Sequence, residues 1–271
     1  MIKLTVIIVA YNSEDFIESC VRSLLKNLPI SSEVIVIDNN SSDSTVEKLE
    51  SFLPKINLIK SDKNIGFAKG NNLAAKSAKG DYLFLLNPDT ETTHPIFDEL
   101  IEFYQENNNT GIVAPKLIMP DGNIQPSVRK FPTVWGAIKE FILGVRYSYD
   151  PYIPKGNTPV VAEMVYGAAM LIKKEFFETL GGFDEKFFLY YEDSDLCMRA
   201  TRAGKIVYYY PRVTIKHLVG ATKSEFDRNK LNNESLIKYH GRVNAVLLRC
   251  LFLIPRIQRK LGIIFGLRRS G

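Results

Sequence analysis

Three cysteines among 271 residues, Cys20, Cys197 and Cys250, are too few and too scattered for a disulfide framework or a zinc cluster. They point to a reducing cytosol. No uninterrupted run of about 18 apolar residues occurs, so no membrane-spanning helix is expected. The apolar run Leu4–Ala10 passes at once into Tyr11, Asn12, Ser13, Glu14 and Asp15, which reads as a buried strand and a helix cap rather than a secretion signal. No Gly-x-Gly-x-x-Gly follows that strand and no P-loop occurs anywhere, which argues against a dinucleotide oxidoreductase and a P-loop ATPase. Internal repeats and low-complexity segments are also missing. With 45% hydrophobic and 24% charged residues, the composition is that of a globular protein and excludes a disordered or fibrous one.

Acids are missing from the end of the chain. From Ser235 onward there are eight basic residues and no Asp or Glu, and against +5 overall these eight leave a net −3 for residues 1–234. A slightly acidic body does not suit a nucleic-acid binder. Arg242, Arg249 and Arg256 recur every seven residues, with Lys260 four later, beside Leu247, Leu248, Leu251, Phe252, Ile254 and Ile263–Phe265. The pattern predicts a helix lying on an anionic membrane, each basic residue contributing on the order of 1 kcal/mol. Docking on the core or on a dimer partner is the alternative, and Pro255 is placed to break the helix.

The first half of the chain alternates. Strands are expected at Leu4–Ala10, Glu33–Asp38, Ile56–Lys60 and Asp81–Leu86, with helices after Ser13, over Ser41–Phe52, Phe67–Ala78 and Pro95–Gln105. That rhythm predicts a parallel, Rossmann-like α/β sheet with right-handed crossovers. Pro120-Asp121-Gly122 reads as a hairpin turn, and residues 130–160, rich in proline and aromatics, as a loop-rich insertion or lid. Strand character resumes over Val161–Ile172 and Ile206–Tyr210, around a helix at Glu192–Ala203. No linker separates the halves, 1–115 and 116–234. We expect one domain over 1–234, then a basic amphipathic tail over 235–271.

Ligands of parallel sheets bind beyond the carboxyl ends of the strands. Three polar clusters fall there: Tyr11-Asn12, Asp38-Asn39-Asn40-Ser41 and Asn87-Pro88-Asp89. Each alone could be a helix cap or a turn. Six apolar residues run straight into the third, where two oxygen-bearing side chains stand two apart, as a hard cation such as Mg²⁺ or Mn²⁺ requires. Glu192-Asp193, with Asp195 behind, opens a helix. First-turn acids complement the macrodipole, which accounts for one or two of them.

The segments TVIIVAYNSEDFIESCVRSL, EVIVIDNNSSDST, NIGFAKGNN, GDYLFLLNPD and GGFDEKFFLYYEDSDLCMRATRAG resemble, in order over roughly residues 3–220, the family 2 glycosyltransferases, and within them the bacterial rhamnosyltransferase-like branch. The resemblance implies a GT-A fold, a nucleotide-diphosphate sugar donor and inversion at the anomeric carbon. Ala10, Tyr11 and Asn12 would line the nucleotide pocket, and Asp38 would accept a hydrogen bond from the base. Asn64, Gly66 and Asn71 would frame the nucleotide. Asn87 and Asp89 stand where the family has its DxD motif, with Asn in place of the first Asp and Asp89 the ligand of Mg²⁺ or Mn²⁺. His217 matches a histidine that completes the metal sphere in some members; a satisfied strand-end histidine is its other reading.

The same resemblance assigns Asp193 as general base, with Glu192 turned towards the acceptor, and the helix N-terminus is expected to keep Asp193 ionised without a raised pKa. Phe187, Phe188, Tyr190 and Tyr191 suit either core or an acceptor platform. For Gly70, loop geometry is the expectation. The implied activity is transfer of rhamnose from dTDP-rhamnose to a cell-surface glycan or lipid-linked precursor, by an enzyme peripheral on the inner face of the plasma membrane. A UDP-hexose donor is the close alternative. The rivals from other classes are a nucleotidyltransferase, whose Gly-rich basic loop is missing after strand one, and a non-catalytic sugar-nucleotide-binding subunit.

Overall fold

The computed structural model describes residues 3–218 and 228–260. Its first half runs β1 (Leu4–Ala10), α1 (Ile17–Asn27), β2 (Ser32–Asp38), α2 (Thr45–Glu50), β3 (Asn57–Lys60), α3 (Gly66–Ser77), β4 (Tyr82–Leu86), β5 (Thr90–Glu91) and α4 (Phe97–Glu106). The second half runs β6 (Thr110–Ile118), β7 (Val128–Arg129), α5 (Val134–Phe141), β8 (Val160–Ala162), β9 (Met164–Val165), β10 (Ala169–Lys173), α6 (Lys174–Thr179), α7 (Glu192–Arg202), β11 (Ile206–His217) and α8 (Arg228–Lys260).

One sheet has the order β3-β2-β1-β4-β10-β6-β11-β5, with β8 added on β11, and β7 pairs β9 separately. Strands β3, β2, β1 and β4 are mutually parallel, as are β6 and β11, whereas β10 runs antiparallel to both β4 and β6. The sheet is therefore mostly parallel with one reversed strand near its middle. Every residue of β1 is buried, because helices cover both faces. Leu4, Val6 and Ile8 pack with Ile17, Val21, Leu24, Phe97 and Leu100, while Ile7 and Val9 pack with Ala68, Ala74, Leu196 and Cys197. Each such aliphatic side chain contributes about 1.5–3 kcal/mol by leaving water.

The expected elements are largely present, and the departures have local causes. Ser13 does not cap α1 with its hydroxyl, which donates to the Tyr11 carbonyl. The second helix starts only at Thr45, since Ser41, Ser42 and Asp43 are engaged by the loop after β1. The stretch 161–172 breaks into three strands because each takes a different partner: β8 adds to β11, β9 pairs β7 in a separate sheet, and β10, after Tyr166–Ala168, lies between β4 and β6. The proline-rich segment contains α5, whose Thr133 cap accepts from the Gly136 amide at 2.9 Å.

The tail boundary at 234/235 falls inside α8. That helix breaks at Gly241 (φ 77°, ψ 163°), and Arg249 Nε reaches Asn233 Oδ1 at 3.2 Å. Sixteen residues of straight helix would separate those two by about 24 Å, so the halves fold back on each other. Leu236, Ala245 and Leu248 are buried with Ala137 and Tyr149, with Phe141 and Phe252 packed against them. This part of the tail is docked on the core. Residues 261–271, including Ile263–Phe265, lie outside the described residues. Among the described residues, no helix is long and apolar enough to cross a membrane.

Gly70 serves close packing rather than loop geometry: a Cβ there would lie 2.8 Å from Val9 Cγ1, so its missing side chain lets α3 sit on β1. Gly70→Ala is expected to lower stability by about 1–3 kcal/mol, measured by urea unfolding.

Candidate active site

Strands β1, β2 and β4 run in register and parallel, so they end on one edge of the sheet. The loops after β1 and β2 are laced together there. Asn12 Oδ1 accepts from the Ser42 amide at 2.9 Å, Ser41 Oγ from the Asn12 amide at 3.0 Å, and Thr45 Oγ1 from the Ser13 amide at 2.8 Å. Asn12 (φ 45°) and Asn40 (φ 63°) take the left-handed backbone that asparagine tolerates. Asp38 is buried; its Oδ2 accepts from the Ser41 amide at 3.2 Å, and its Oδ1 is buried with no hydrogen-bond partner. An orphaned carboxylate oxygen suits a donor arriving with a ligand, such as a base N–H.

The other expected nucleotide residues differ in exposure. Ala10 is wholly inside the core, and Asn71, also buried, donates to the Phe67 carbonyl of its own helix at 2.9 Å. Asn64 Oδ1 accepts from the Gly66 amide at 2.9 Å, and the Phe67 amide donates to the Phe188 carbonyl at 2.8 Å. A Cβ on Gly66 would stand 2.6 Å from that same Phe188 oxygen. Only glycine lets the loop after β3 meet the aromatic segment before α7.

Beyond β4, Asp89 and His217 meet. His217 Nε2 lies 3.3 Å from Asp89 Oδ1, a buried oxygen that accepts no hydrogen bond. On the other side of the ring, Nδ1 stands 2.7 Å from Gln125 Oε1. A proton on Nδ1 satisfies Gln125 and turns the Nε2 lone pair towards the carboxylate. Two electron-pair donors side by side, one orphaned, fit a divalent cation. Among the described residues, no cluster of three or more His, Cys, Asp or Glu could hold a metal alone, so a ligand would have to supply the remaining oxygens. Gln125 was not foreseen; it lies in an unremarkable polar stretch that the hairpin at 120–122 folds back.

A cavity of about 450 Å³ opens between His217 and the start of α7. Asn87, His217, Glu192 and Asp193 line it, together with Arg129, Tyr149, Tyr166, Gly167 and Phe252. Of the four expected platform aromatics, Tyr190 and Tyr191 line it too, whereas Phe187 is buried. Both tyrosines adopt left-handed backbone (φ 72° and 70°), strain of about 1–3 kcal/mol each that bulky residues seldom bear. Residue type carried no sign of it.

The two acids differ in their surroundings. Asp193 Oδ1 accepts from the Ser194 amide at 2.7 Å, and Oδ2 from the Gly167 amide at 3.2 Å. Glu192 is buried, and its Oε2 has no partner. Burial raises both carboxyls above their usual range, Glu192 well above, with the Asp193 charge adding to its shift. The hydrogen bonds and the Arg129 charge oppose the rise at Asp193. Of the two, Glu192 is held further towards its protonated form, while the donors around Asp193 favour its charged form. The expectation that Asp193 is unshifted is thus corrected: desolvation outweighs the helix terminus.

The folded chain holds a Glu192 proton that the unfolded chain releases near pH 4.5, so this group's stabilising contribution is present at acid pH and is lost as pH rises through its raised folded pKa. Glu192→Gln is expected to raise Tm relative to wild type at pH 8, with the difference shrinking towards pH 4 in thermal melts.

Residues 5–181 match the family described as Glycosyl transferase family 2. An N-acetylglucosaminyl-diphospho-decaprenol L-rhamnosyltransferase of Mycobacterium tuberculosis is 25% identical over 233 residues, covering 79% of this chain and 75% of that protein. The rhamnosyltransferase WbbL of Escherichia coli is 30% identical over 221 residues, covering 76% of this chain and 80% of its own. Among solved structures, GalNAc-T7 with UDP, GalNAc and Mn²⁺ superposes with a TM-score of 0.65 at 18% identity, over 80% of this chain and 44% of that one. The mostly parallel sheet is that of the GT-A fold, and the chain belongs to glycosyl transferase family 2, the nucleotide-sugar glycosyltransferases.

Proposed function

We propose that the protein transfers rhamnose from dTDP-rhamnose, with inversion, to a hydroxyl of a lipid-linked or other cell-surface glycan precursor. The observation that carries this reading is Asp193, a carboxyl held by the Gly167 amide and lining the same cavity as Asn87 and His217. The acceptor oxygen attacks C1 while its proton passes to an Asp193 oxygen. The C1–O bond to the diphosphate breaks, and the nucleoside diphosphate leaves with that electron pair. Asp38 receives the base, and the laced loops of Tyr11 and Asn12 with the turn at Asn64 and Gly66 hold the nucleotide. Asp89 and His217 would hold the Mg²⁺ or Mn²⁺, which, when bound, neutralises charge on the departing diphosphate. Rhamnosyl transfer by two relatives supports the donor. The UDP of the structural neighbour favours a second reading, a hexose from a UDP-sugar.

Release of nucleoside diphosphate from a panel of dTDP- and UDP-sugars tests both. Asp193→Asn is expected to lose at least about a hundredfold in kcat with little change in donor affinity, and Glu192→Gln to lose less, mainly in the acceptor's KM. Asp89→Ala should be inactive yet folded. Full activity of Asp89→Ala, or in excess EDTA, would remove the metal from the reading.

The membrane contact belongs to the second half of α8. Val243, Val246, Leu247, Cys250, Leu253 and Ile257 are exposed on the side opposite the docked Ala245 and Leu248. Exposed Arg242 and Arg249 flank that stripe. An apolar stripe edged by cations suits an anionic lipid surface, which would hold the enzyme on the inner face of the plasma membrane. Removing residues 235–271 would also remove Phe252 from the cavity wall, so point changes are the cleaner probe. Leu247→Asp with Leu253→Asp should leave Tm unchanged and reduce co-sedimentation with phosphatidylglycerol vesicles at least fivefold.

A further inference from the structure

A second cavity, of about 520 Å³, lies beside the first and has no part in the transfer step. It owes its space to the break in α8. Tyr239 and His240 end the helical run before Gly241, and Asn244 lies in the run after it. The gap between these two runs and α7 is walled by Phe131 and Thr133, which lead into α5. One aromatic layer separates the two cavities. Tyr191 lines the first; its ring meets that of Tyr239 at a tilt, centres 5.1 Å apart, and that of His240 edge-on at 5.8 Å.

The lining of the second cavity has two characters. Phe131, Val134 and Tyr239 offer flat apolar surface, while Thr133, Asn244 and Arg202 bring hydroxyl, amide and guanidinium groups. Among the described residues, no carboxylate lines it. Burial, with the Arg129 charge acting in the same direction, lowers the His240 imidazole to about 4, so the ring is neutral at pH 7. Its Nε2 is buried and has no hydrogen-bond partner. A neutral ring nitrogen in that state lacks one hydroxyl or amide partner.

An apolar floor with neutral hydrogen-bonding groups around it suits a sugar ring. The C–H face packs on an aromatic ring, and the hydroxyls find donors and acceptors at the edge. An alkyl chain would leave the His240 nitrogen and the Asn244 amide unpaired. We propose that this cavity binds a sugar of the acceptor glycan beyond the one that receives the transfer, so that the acceptor is a chain of at least two sugars passing Tyr191. This rests on the glycosyl-transfer reading and deepens it. The left-handed backbone at Tyr191 then has a use: it sets the ring between two neighbouring sugars.

The test uses the full chain, labelled with ¹³C at the histidine Cε1 atoms, with Mg²⁺ and saturating dTDP or UDP. The chain has three histidines. His240 reports the second cavity, His217 the first, and His94 serves as reference. Methyl glycosides of rhamnose, glucose, galactose, mannose and N-acetylglucosamine are titrated in turn. At least one should move the His240 signal saturably in the millimolar range and leave His94 still. Asn244→Trp and Thr201→Trp each fill the cavity from an exposed position and should weaken that binding at least tenfold without lowering Tm. Asp193→Asn should bind as wild type does. Of the disaccharides built from the sugar that binds, linked at each hydroxyl in turn, at least one should bind wild type tenfold tighter than the methyl glycoside and lose that gain in Asn244→Trp. The proposal is overturned if no glycoside moves His240, if the filled variants bind like wild type, or if no disaccharide gains. An equal loss in Asp193→Asn would overturn it too, by placing the sugar in the first cavity. Movement of His217 when dTDP or UDP is added with Mg²⁺ tests the donor reading by itself, so the two failures are told apart.

Discussion

The site depends on one crossing of the chain over the edge of the sheet. Because β10 runs against its neighbours, it begins where the parallel strands end. The residues leading into it, Tyr166–Ala168, must therefore pass along the edge where ligands of such sheets bind. There the Ala168 carbonyl accepts from the Asn87 amide at 2.9 Å and the Gly167 amide donates to Asp193 at 3.2 Å. One short segment thus connects the end of β4 with the start of α7. Reversing a single strand is what brings the end of β4 and the start of α7 onto one cavity.

Electrostatics inside that cavity follow from which oxygens have partners. Asp193 has backbone and hydroxyl donors and the nearby Arg129 charge; Glu192 has a buried oxygen with none. Two adjacent acids at a helix start would both ionise in water, but burial separates their roles. A similar logic governs Asp38 and Asp89, each a buried carboxylate with one oxygen left without a hydrogen bond. In a folded protein such oxygens are costly, and their position at strand ends is where an incoming ligand can satisfy them.

The C-terminal helix joins two surfaces that are usually separate. Its first half docks beside α7, with Ser235 Oγ donating to the Leu189 carbonyl at 2.7 Å. After the break at Gly241, the second half returns along the body and places Phe252 against Tyr149, ring centres 5.4 Å apart. The wall of the cavity and the exposed apolar stripe are thus two sides of one helix. A membrane under the stripe would lie one helix thickness, about 10 Å, from the cavity, within reach of a lipid-carried acceptor.

Local sequence determined the alternation of strands and helices, the polar clusters at the ends of β1, β2 and β4, and the acids opening α7. These are set within a few residues of chain by hydrophobic periodicity and the donor–acceptor needs of strand ends. It also carried the heptad of arginines in the tail. Only the tertiary structure decided that Asn71 and Ala10 face inward while Asp38 keeps an open oxygen, because burial depends on what packs from elsewhere. The partnership of His217 with Asp89 and Gln125 spans more than ninety residues, and no spacing rule reaches that far. Tyr149 lies in the stretch read as loop and Arg129 just before it, and neither stands out, since a cavity is made by distant segments converging and leaves no local pattern. The docked face of α8 was likewise settled by contact with α5, because the same amphipathic period serves a membrane and a protein core alike.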